Sequence, residues 1–397
     1  MSPIDSPSVE ELHRELREEL RPHFDELAQC GSTRELHAHP RYRDLKSRFE
    51  RIFRTPERGD FTTGAAEKKD NYRIVAWNLE RGIHYEGQLQ ALQQDPYLSQ
   101  ADVLLLTETD VGMARSDNRN ISRDLARELG MHYVFSPCYI NLAKGSGVEY
   151  EADGENEAGL HGNAILSRYP LSKIRSVFLK NGKDKMKGRE KRIGQQTAAV
   201  AEVQFPDQPT TVVSVHLDAN SSQQHRANQM GDILADIEGC SPAIVGGDWN
   251  TTTYNSSSAT MAILGFWLRV FMGPDNVIRN HNLHPYNKFE KQLFNLLESS
   301  GFDYRTANAY GERTTSYDVD DIKTHKNLRE WVPAWCFAFI RWALRNHDGK
   351  CPLKIDWLAV KGLTASAPRV LHQFREGRKP PLSDHDPIGV DVATPTT

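Results

Sequence analysis

Ile-Val-Gly-Gly-Asp-Trp-Asn (244–250) decides how this chain is read. Its apolar, β-branched start suits a buried strand, the glycine pair frees the backbone to turn, and Asp248 and Asn250 emerge at the end. A core strand that closes on Asp or Asn delivers that side chain to the rim of a sheet. Five other segments repeat the design: Ile-Val-Ala-Trp-Asn-Leu-Glu (74–80), Val-Leu-Leu-Leu-Thr-Glu-Thr-Asp (103–110), Val-Val-Ser-Val-His-Leu-Asp (212–218), Lys-Ile-Asp-Trp-Leu (354–358) and Leu-Ser-Asp-His-Asp (382–386). Singly, Asn78 reads as a turn former, Glu108 as a surface carboxylate and His216 as a satisfied core histidine. Six such strand ends in one chain build a site.

Working outward, β-branched runs predict strands over 73–77, 102–107, 132–136, 163–167, 196–204, 210–216, 243–247, 355–360 and 387–392. Helical spacing falls between them near 87–96, 121–129 and 222–238, which implies two stacked sheets with helices outside. Residues 1–70 are charged and helical in pattern, with Leu12, Leu16 and Leu20 on one face, and form an extension to a domain over 71–394. A helical insertion is expected over about 254–350. It carries two aromatic patches, 263–271 and 331–342, which either pack on each other or form an apolar lip for a substrate with a greasy part.

Bulk properties narrow the classes. The chain has 397 residues, 38% hydrophobic content and a net charge of −4, so no global field draws it to polyanions. Its mean hydropathy is −0.61. Loop 180–192 is the local exception, with seven basic residues against two acidic ones. It is either a solvated loop or a contact for a phosphate backbone or lipid headgroups. Loop 149–157 carries five acids, which repel a polyanion unless they face away. Five cysteines lack Cys-x-x-Cys spacing, arguing for reduced thiols and against structural zinc. No secretory signal and no apolar run of membrane-spanning length are seen, so a cytoplasmic protein is expected. Oligomeric state is not legible. Neither a phosphate-cradling Gly-x-x-x-x-Gly-Lys-Ser/Thr loop, nor a dinucleotide-binding Gly-x-Gly-x-x-Gly turn, nor a Gly-x-Ser-x-Gly elbow occurs.

Carboxylates and amides in this number suit a hard divalent cation, and histidines beside them suit activation of water and protonation of a leaving group. The Trp-Asn-Leu-Glu, Thr-Glu, Gly-Asn-Ala-Ile-Leu-Ser, Val-His-Leu, Gly-Asp-Trp-Asn, Ile-Asp-Trp and Ser-Asp-His segments, in this order, resemble the endonuclease/exonuclease/phosphatase superfamily over roughly Tyr72 to Val392. The resemblance implies an α/β (α+β) four-layer α/β/β/α sandwich of two mixed sheets. It further implies a Mg²⁺-dependent phosphoester hydrolase, with Mn²⁺ as the alternative ion. Glu108 resembles the main metal ligand, helped by Asn78, with Asp384 near a second position and Glu80 a weaker candidate. Asp248 resembles the residue that activates water, and Asn250 the holder of a phosphate oxygen. His385 resembles the histidine paired with Asp356, and His216 the histidine on the leaving-group side. Asn163 lies near the site in this family, either contacting substrate or shaping a strand start. Arg73, Arg81, Arg115 and Arg119 stand near the motifs and are candidates to grip a phosphate. A nuclease-type phosphodiesterase leads, with loop 180–192 on the nucleic acid. A sphingomyelinase-like phospholipid phosphodiesterase touching lipid through the aromatic insertion, a phosphomonoesterase and a catalytically silent binding module are the alternatives.

Overall fold

Alternation along strand β2 separates two cores. β1 covers Glu57–Asp60 and β2 Tyr72–Arg81. Val75, Trp77 and Leu79 point to one side and pack with Leu104, Leu106 and the helices Tyr85–Gln94 and Ile121–Leu129. Ile74 and Ala76 point to the other, with Leu105 and Ile165, and meet Ala199, Val212, Ile244 and Leu358 of a second sheet. Period-2 side-chain alternation alone dictates this two-sided burial. The second sheet buries its far face under the helices Gln223–Asp236 and Lys291–Ser299. Helix, sheet, sheet and helix are thus the layers, as the sequence predicts.

The computed structural model describes residues 9–64, 67–145, 147–253, 255, 257, 259–319 and 336–394. The remaining strands are β3 Val103–Val111, β4 His132–Asn141, β5 Leu160–Ser167, β6 Leu171–Leu179, β7 Arg192–Gly194, β8 Gln196–Val203, β9 Thr210–Val215, β10 Ala243–Asp248, β11 Thr315–Asp318, β12 Lys350–Leu353, β13 Asp356–Lys361, β14 Thr364–Val370 and β15 Ile388–Ala393. The first sheet runs β1-β4-β5-β3-β2-β15-β14 with β7 on β4; the second runs β13-β10-β9-β8-β6; β11 and β12 form a small ribbon. All nine predicted strands occur. The unpredicted β6 and β14 are edge strands, carrying Lys173 and Arg175 in one and Pro368 in the other, so they lack the apolar signature of central strands.

The N-terminal helices, ending in Pro40–Arg54, bury Leu16, Leu20, Phe49 and Ile52 against Phe135 and Ile140 of β4. Glu57–Asp60 then pairs with β4, so the segment after those helices is built into the first sheet. Cys30, Cys138, Cys240 and Cys351 are free thiols. In the insertion, Trp267 of the Ala259–Met272 helix meets Phe339 of the Cys336–Ala343 helix edge to face, 6.0 Å between ring centres. The two aromatic patches therefore touch, although residues 331–335 of the second lie outside the described residues.

Candidate active site

β2 and β3 run parallel, so Asn78 and Glu108 leave the first sheet at one edge; β15 is antiparallel to β2, so its approach segment Ser383–His385 arrives there too. In the second sheet β9 and β10 are parallel and β13 antiparallel, which sets Asp248 directly opposite Asp356. Both sheets therefore aim at one rim. The backbone there is strained. Of the nine non-glycine residues with positive φ among the described residues, Glu80 (48°), Arg81 (67°), Glu108 (52°) and Asn250 (49°) belong to this rim. Left-handed conformations in such side chains cost on the order of 1–3 kcal/mol each and gather where function demands them. At Glu108 and between Asn78 and Arg81 the strain coincides with register shifts that swing these side chains out of the ladder.

Asp248 is the hub. One carboxylate oxygen accepts the Asn250 backbone N–H (2.8 Å). The other accepts Asn78 Nδ2 (3.2 Å) and lies 3.5 Å from His216 Nε2 and 3.7 Å from His385 Nε2. Burial pushes Asp248 up to about 6; Asp356 adds to this, and His216 and His385 pull the other way. Asn78 also donates to Glu108 Oε1 (3.2 Å), while His216 Nδ1 stands 3.7 Å from the same carboxylate. For Glu108, burial opposes charge, but Arg81 first, then His216, holds it well below the usual carboxylate range. His385 Nδ1 sits 2.8 and 3.1 Å from the two oxygens of Asp356. Burial disfavours the charged imidazole, yet Asp356 and then Asp248 raise His385 well above its ordinary range. Thr314 Oγ1 accepts the Asp356 N–H (3.1 Å), and Ser383 Oγ donates to the Asn78 carbonyl (2.6 Å) while accepting the His385 N–H.

Other expected residues are placed differently. The Asn78 amide oxygen accepts the Glu80 N–H (2.9 Å), so Asn78 orients Glu108 and Asp248 through its nitrogen. Asp384 is exposed at the rim, its N–H donating to the buried Glu80 (3.0 Å). Asn250 Nδ2 donates to the Leu217 carbonyl (2.9 Å). Asn163 is between the sheets, its amide nitrogen on the Thr197 carbonyl (2.8 Å), a bridging rather than substrate-facing arrangement. Asp110 is neutralised by Arg115 (2.7 and 3.0 Å) and His161 (2.8 Å). Among the arginines, Arg73 pairs with Asp391 at the opposite end of β2 and Arg119 with Glu86. Arg81 Nη1 stands 3.1 Å from Glu149 and 3.6 Å from Glu108, and its Nε is buried without a hydrogen-bond partner.

Loop 180–192 is not a free basic arm. Lys191 Nζ donates to the carbonyls of Ala28 and Cys30, Lys185 pairs with Asp218 (3.1 Å), Arg192 with Glu190, and Met186 is fully buried. Glu149 of the acidic loop likewise turns inward, to Arg81 and Arg115. A cavity of about 500 Å³ opens beside the Ser383–His385 segment, lined by Ile83, His84, Arg119, Arg378 and Leu382 among others.

The model of the Endonuclease/Exonuclease/phosphatase family matches residues 75–385, and the chain belongs to that family. A solved endonuclease/exonuclease/phosphatase from Beutenbergia cavernae is 14% identical, with 82% of this chain and 72% of that one covered and a TM-score of 0.50. A 3′ phosphatase from Neisseria, solved with a product DNA hairpin, is 16% identical over 80% of this chain and 98% of that one, TM-score 0.46. An AP endonuclease from Archaeoglobus fulgidus is 13% identical over 80% and 98%, TM-score 0.44. None of the curated protein sequences compared with the chain matches it. At these identities the likeness is one of fold.

Proposed function

We propose that the chain is a divalent-metal-dependent phosphoester hydrolase that directs water in line onto a phosphodiester. One observation carries the reading: a buried Asp248, held near neutrality in its proton affinity, is shared by Asn78, His216 and His385 and faces Glu108 across the sheet junction. Such a carboxylate can take the proton of an attacking water, because its affinity lies close to working pH. His385, kept charged by Asp356, neutralises a phosphoryl oxygen. His216, between Glu108 and Asp248, is positioned to protonate the leaving oxygen. The unpartnered Nε of Arg81 supports a further contact to the phosphoryl group.

The donor chemistry fits a hard cation. Glu108, Glu80 and Asp384 offer oxygens only, and carboxylates outnumber cations around Arg81, with Glu149, Glu108, Glu190 and Asp384 all acting on it. Asp248, Asp356 and His385 form a second cluster with ligand atoms within 4.8 Å of one another. There the Nδ1 atom and both Asp356 oxygens already face each other, which suits a proton relay better than a metal. Mg²⁺ or Mn²⁺ held by the Glu108 group would supply charge neutralisation to the phosphoryl oxygens.

Of the seven basic residues of loop 180–192, Lys185, Lys191 and Arg192 are tied to partners within the fold, so phosphodiester chemistry is proposed without that loop as a backbone track. The test is Mg²⁺-dependent hydrolysis of bis-p-nitrophenyl phosphate, plasmid DNA, RNA and phospholipid vesicles by the wild type and Asp248→Asn. Metal-dependent turnover that the variant lacks is the expected result; turnover of the diester undiminished in Asp248→Asn refutes the assignment.

A further inference from the structure

Ten large apolar side chains stand out as exposed among the described residues, and seven of them lie on two helices of the insertion. On Ala259–Met272 these are Met261, Ile263, Leu264, Leu268 and Phe271; on Cys336–Ala343 they are Phe339 and Trp342. Positions 261, 264, 268 and 271 recur at helical spacing and so form one stripe. An ordinary surface helix turns such a stripe inward. Here Arg269, which lies off that stripe, is the buried group, donating to the Thr253 hydroxyl (2.8 Å) and carbonyl (2.6 Å). Phe271 is 84% exposed and Trp342 57%, so these two alone present roughly 300 Å² if a large aromatic offers about 150–250 Å². With the other five, the face passes the few hundred Å² usual for the largest patch of a monomer.

Charge identifies the occupant. Apart from the buried Arg269, the segments 259–282 and 336–350 carry four basic residues against two acidic ones, in a chain whose net charge is −4. Arg279, Arg341, Arg345 and Lys350 are exposed, and Arg345 stacks over the Trp342 ring at 4.7 Å. An apolar stripe with an interfacial tryptophan and a basic rim suits a surface that is apolar inside and anionic outside. A second copy of the chain docked on this face would bring like-charged rims together. The helix of 14 residues, about 21 Å long at 1.5 Å per residue, is too short to cross a bilayer, and no described helix is long and apolar enough to do so. Its place in the fold matters as much. Thr253, on which Arg269 is anchored, follows the Asp248–Asn250 turn, and Lys350–Leu353 leads into Asp356.

We propose that this face seats the protein on an anionic lipid surface and thereby offers the rim of the site to phosphoesters in lipid headgroups. The docking stands by itself; the choice of lipid phosphoester as substrate rests on the hydrolase reading above. Co-sedimentation of the full chain, in chelator, with phosphatidylcholine vesicles or with phosphatidylcholine–phosphatidylglycerol vesicles tests it. The wild type is expected to bind the mixed vesicles more strongly. Leu264→Glu/Leu268→Glu/Phe271→Glu should lower partitioning about tenfold or more, since each residue withdrawn removes apolar burial. Arg341→Glu/Arg345→Glu should remove the preference for anionic lipid. Both variants must keep the wild-type melting temperature and soluble-diester hydrolysis. Arg279→Glu/Lys350→Glu is a second charge variant should the first not fold. Failure of the wild type to bind vesicles overturns the proposal. So does a concentration-dependent dimer that the apolar variant abolishes, which would make the face a self-association surface. Vesicle binding without any phosphoester hydrolysis would sink the hydrolase reading and leave the docking intact.

Discussion

Replacing Asp356 by Asn tests the relay at its base. Both carboxylate oxygens face His385 Nδ1, at 2.8 and 3.1 Å, and the Asp356 backbone is fixed by Thr314. Asparagine has the same outline, so packing is kept. Its amide, however, presents one acceptor and one NH₂ where two acceptors stood. When the NH₂ faces Nδ1, that nitrogen must accept, so the ring is left neutral with its one proton on Nε2 and brings no charge to the phosphoryl oxygen. The orienting charge is lost as well, so the raised affinity of His385 should fall toward the ordinary histidine range. In a comparable His–Asp pair such a change costs about 10⁴ in turnover, and a loss of roughly 10²–10⁴ is expected here. Stability should change by only about 1 kcal/mol, because a hydrogen bond is kept. Asp356→Ala should cost more, about 3–5 kcal/mol, because it removes both the charge and the hydrogen-bond partner of the buried His385 ring. The assays are steady-state hydrolysis of a soluble diester, urea unfolding, and an NMR titration of the His385 ring. Turnover within threefold of wild type together with an unmoved His385 titration would refute the reasoning.

Three further outcomes are expected. Glu108→Gly should be more stable than Glu108→Ala by about 1 kcal/mol in urea, because the position sits at φ 52°, and both should shift the Mg²⁺ titration to higher concentration; equal stabilities would deny the strain. Arg226 and Glu290 form a fully buried pair (Nε to Oε1 3.0 Å) that also holds the Thr252 N–H beside the Asp248 turn. Arg226→Met should cost about 3–5 kcal/mol, and adding Glu290→Leu should recover most of it; an additive double variant would show the charges to be independent. At Glu57, burial opposes charge, but His13 (3.1 Å), Tyr133 (2.7 Å) and Asn120 (2.6 Å) hold the carboxyl below its ordinary range. Its stabilising effect is therefore complete above the unfolded value and lost as pH falls through the folded one, so acid unfolding curves should be steeper below about pH 4.5 for the wild type than for Glu57→Gln.

Strand ends were legible because burial writes itself into sequence: an apolar run interrupted by Asp248 or Glu108 already says where the strand reaches the rim. The destination of Asn163 was not. It shares a β5 face with Ile165, and only the second sheet, through Thr197, shows what that face meets. Loop 180–192 hid its anchors for a related reason. Its charges find Asp218 and the carbonyls of Ala28 and Cys30, partners from 33 to 163 residues away that no local pattern foretells. Thr314, which steadies Asp356, has no signature at all: a threonine in a turn looks like any other. Strain was hidden too, since Glu80, Arg81 and Glu108 read as good strand or turn residues until their backbone angles are known.

Asp248 and Asp356 face each other across one rung of the β10–β13 ladder, yet the chain between them contains the whole insertion. The exit and the re-entry of that long excursion are therefore clamped by the same hydrogen-bonded ladder that sets the spacing of these two buried carboxylates. A segment fixed at both ends in this way behaves as a cassette. Glu290 and the Lys291–Ser299 helix within it are tied to the cover of the second sheet, so variation is expected in the helices outside that cover, and any pull upon the segment is delivered to the gap between the two carboxylates.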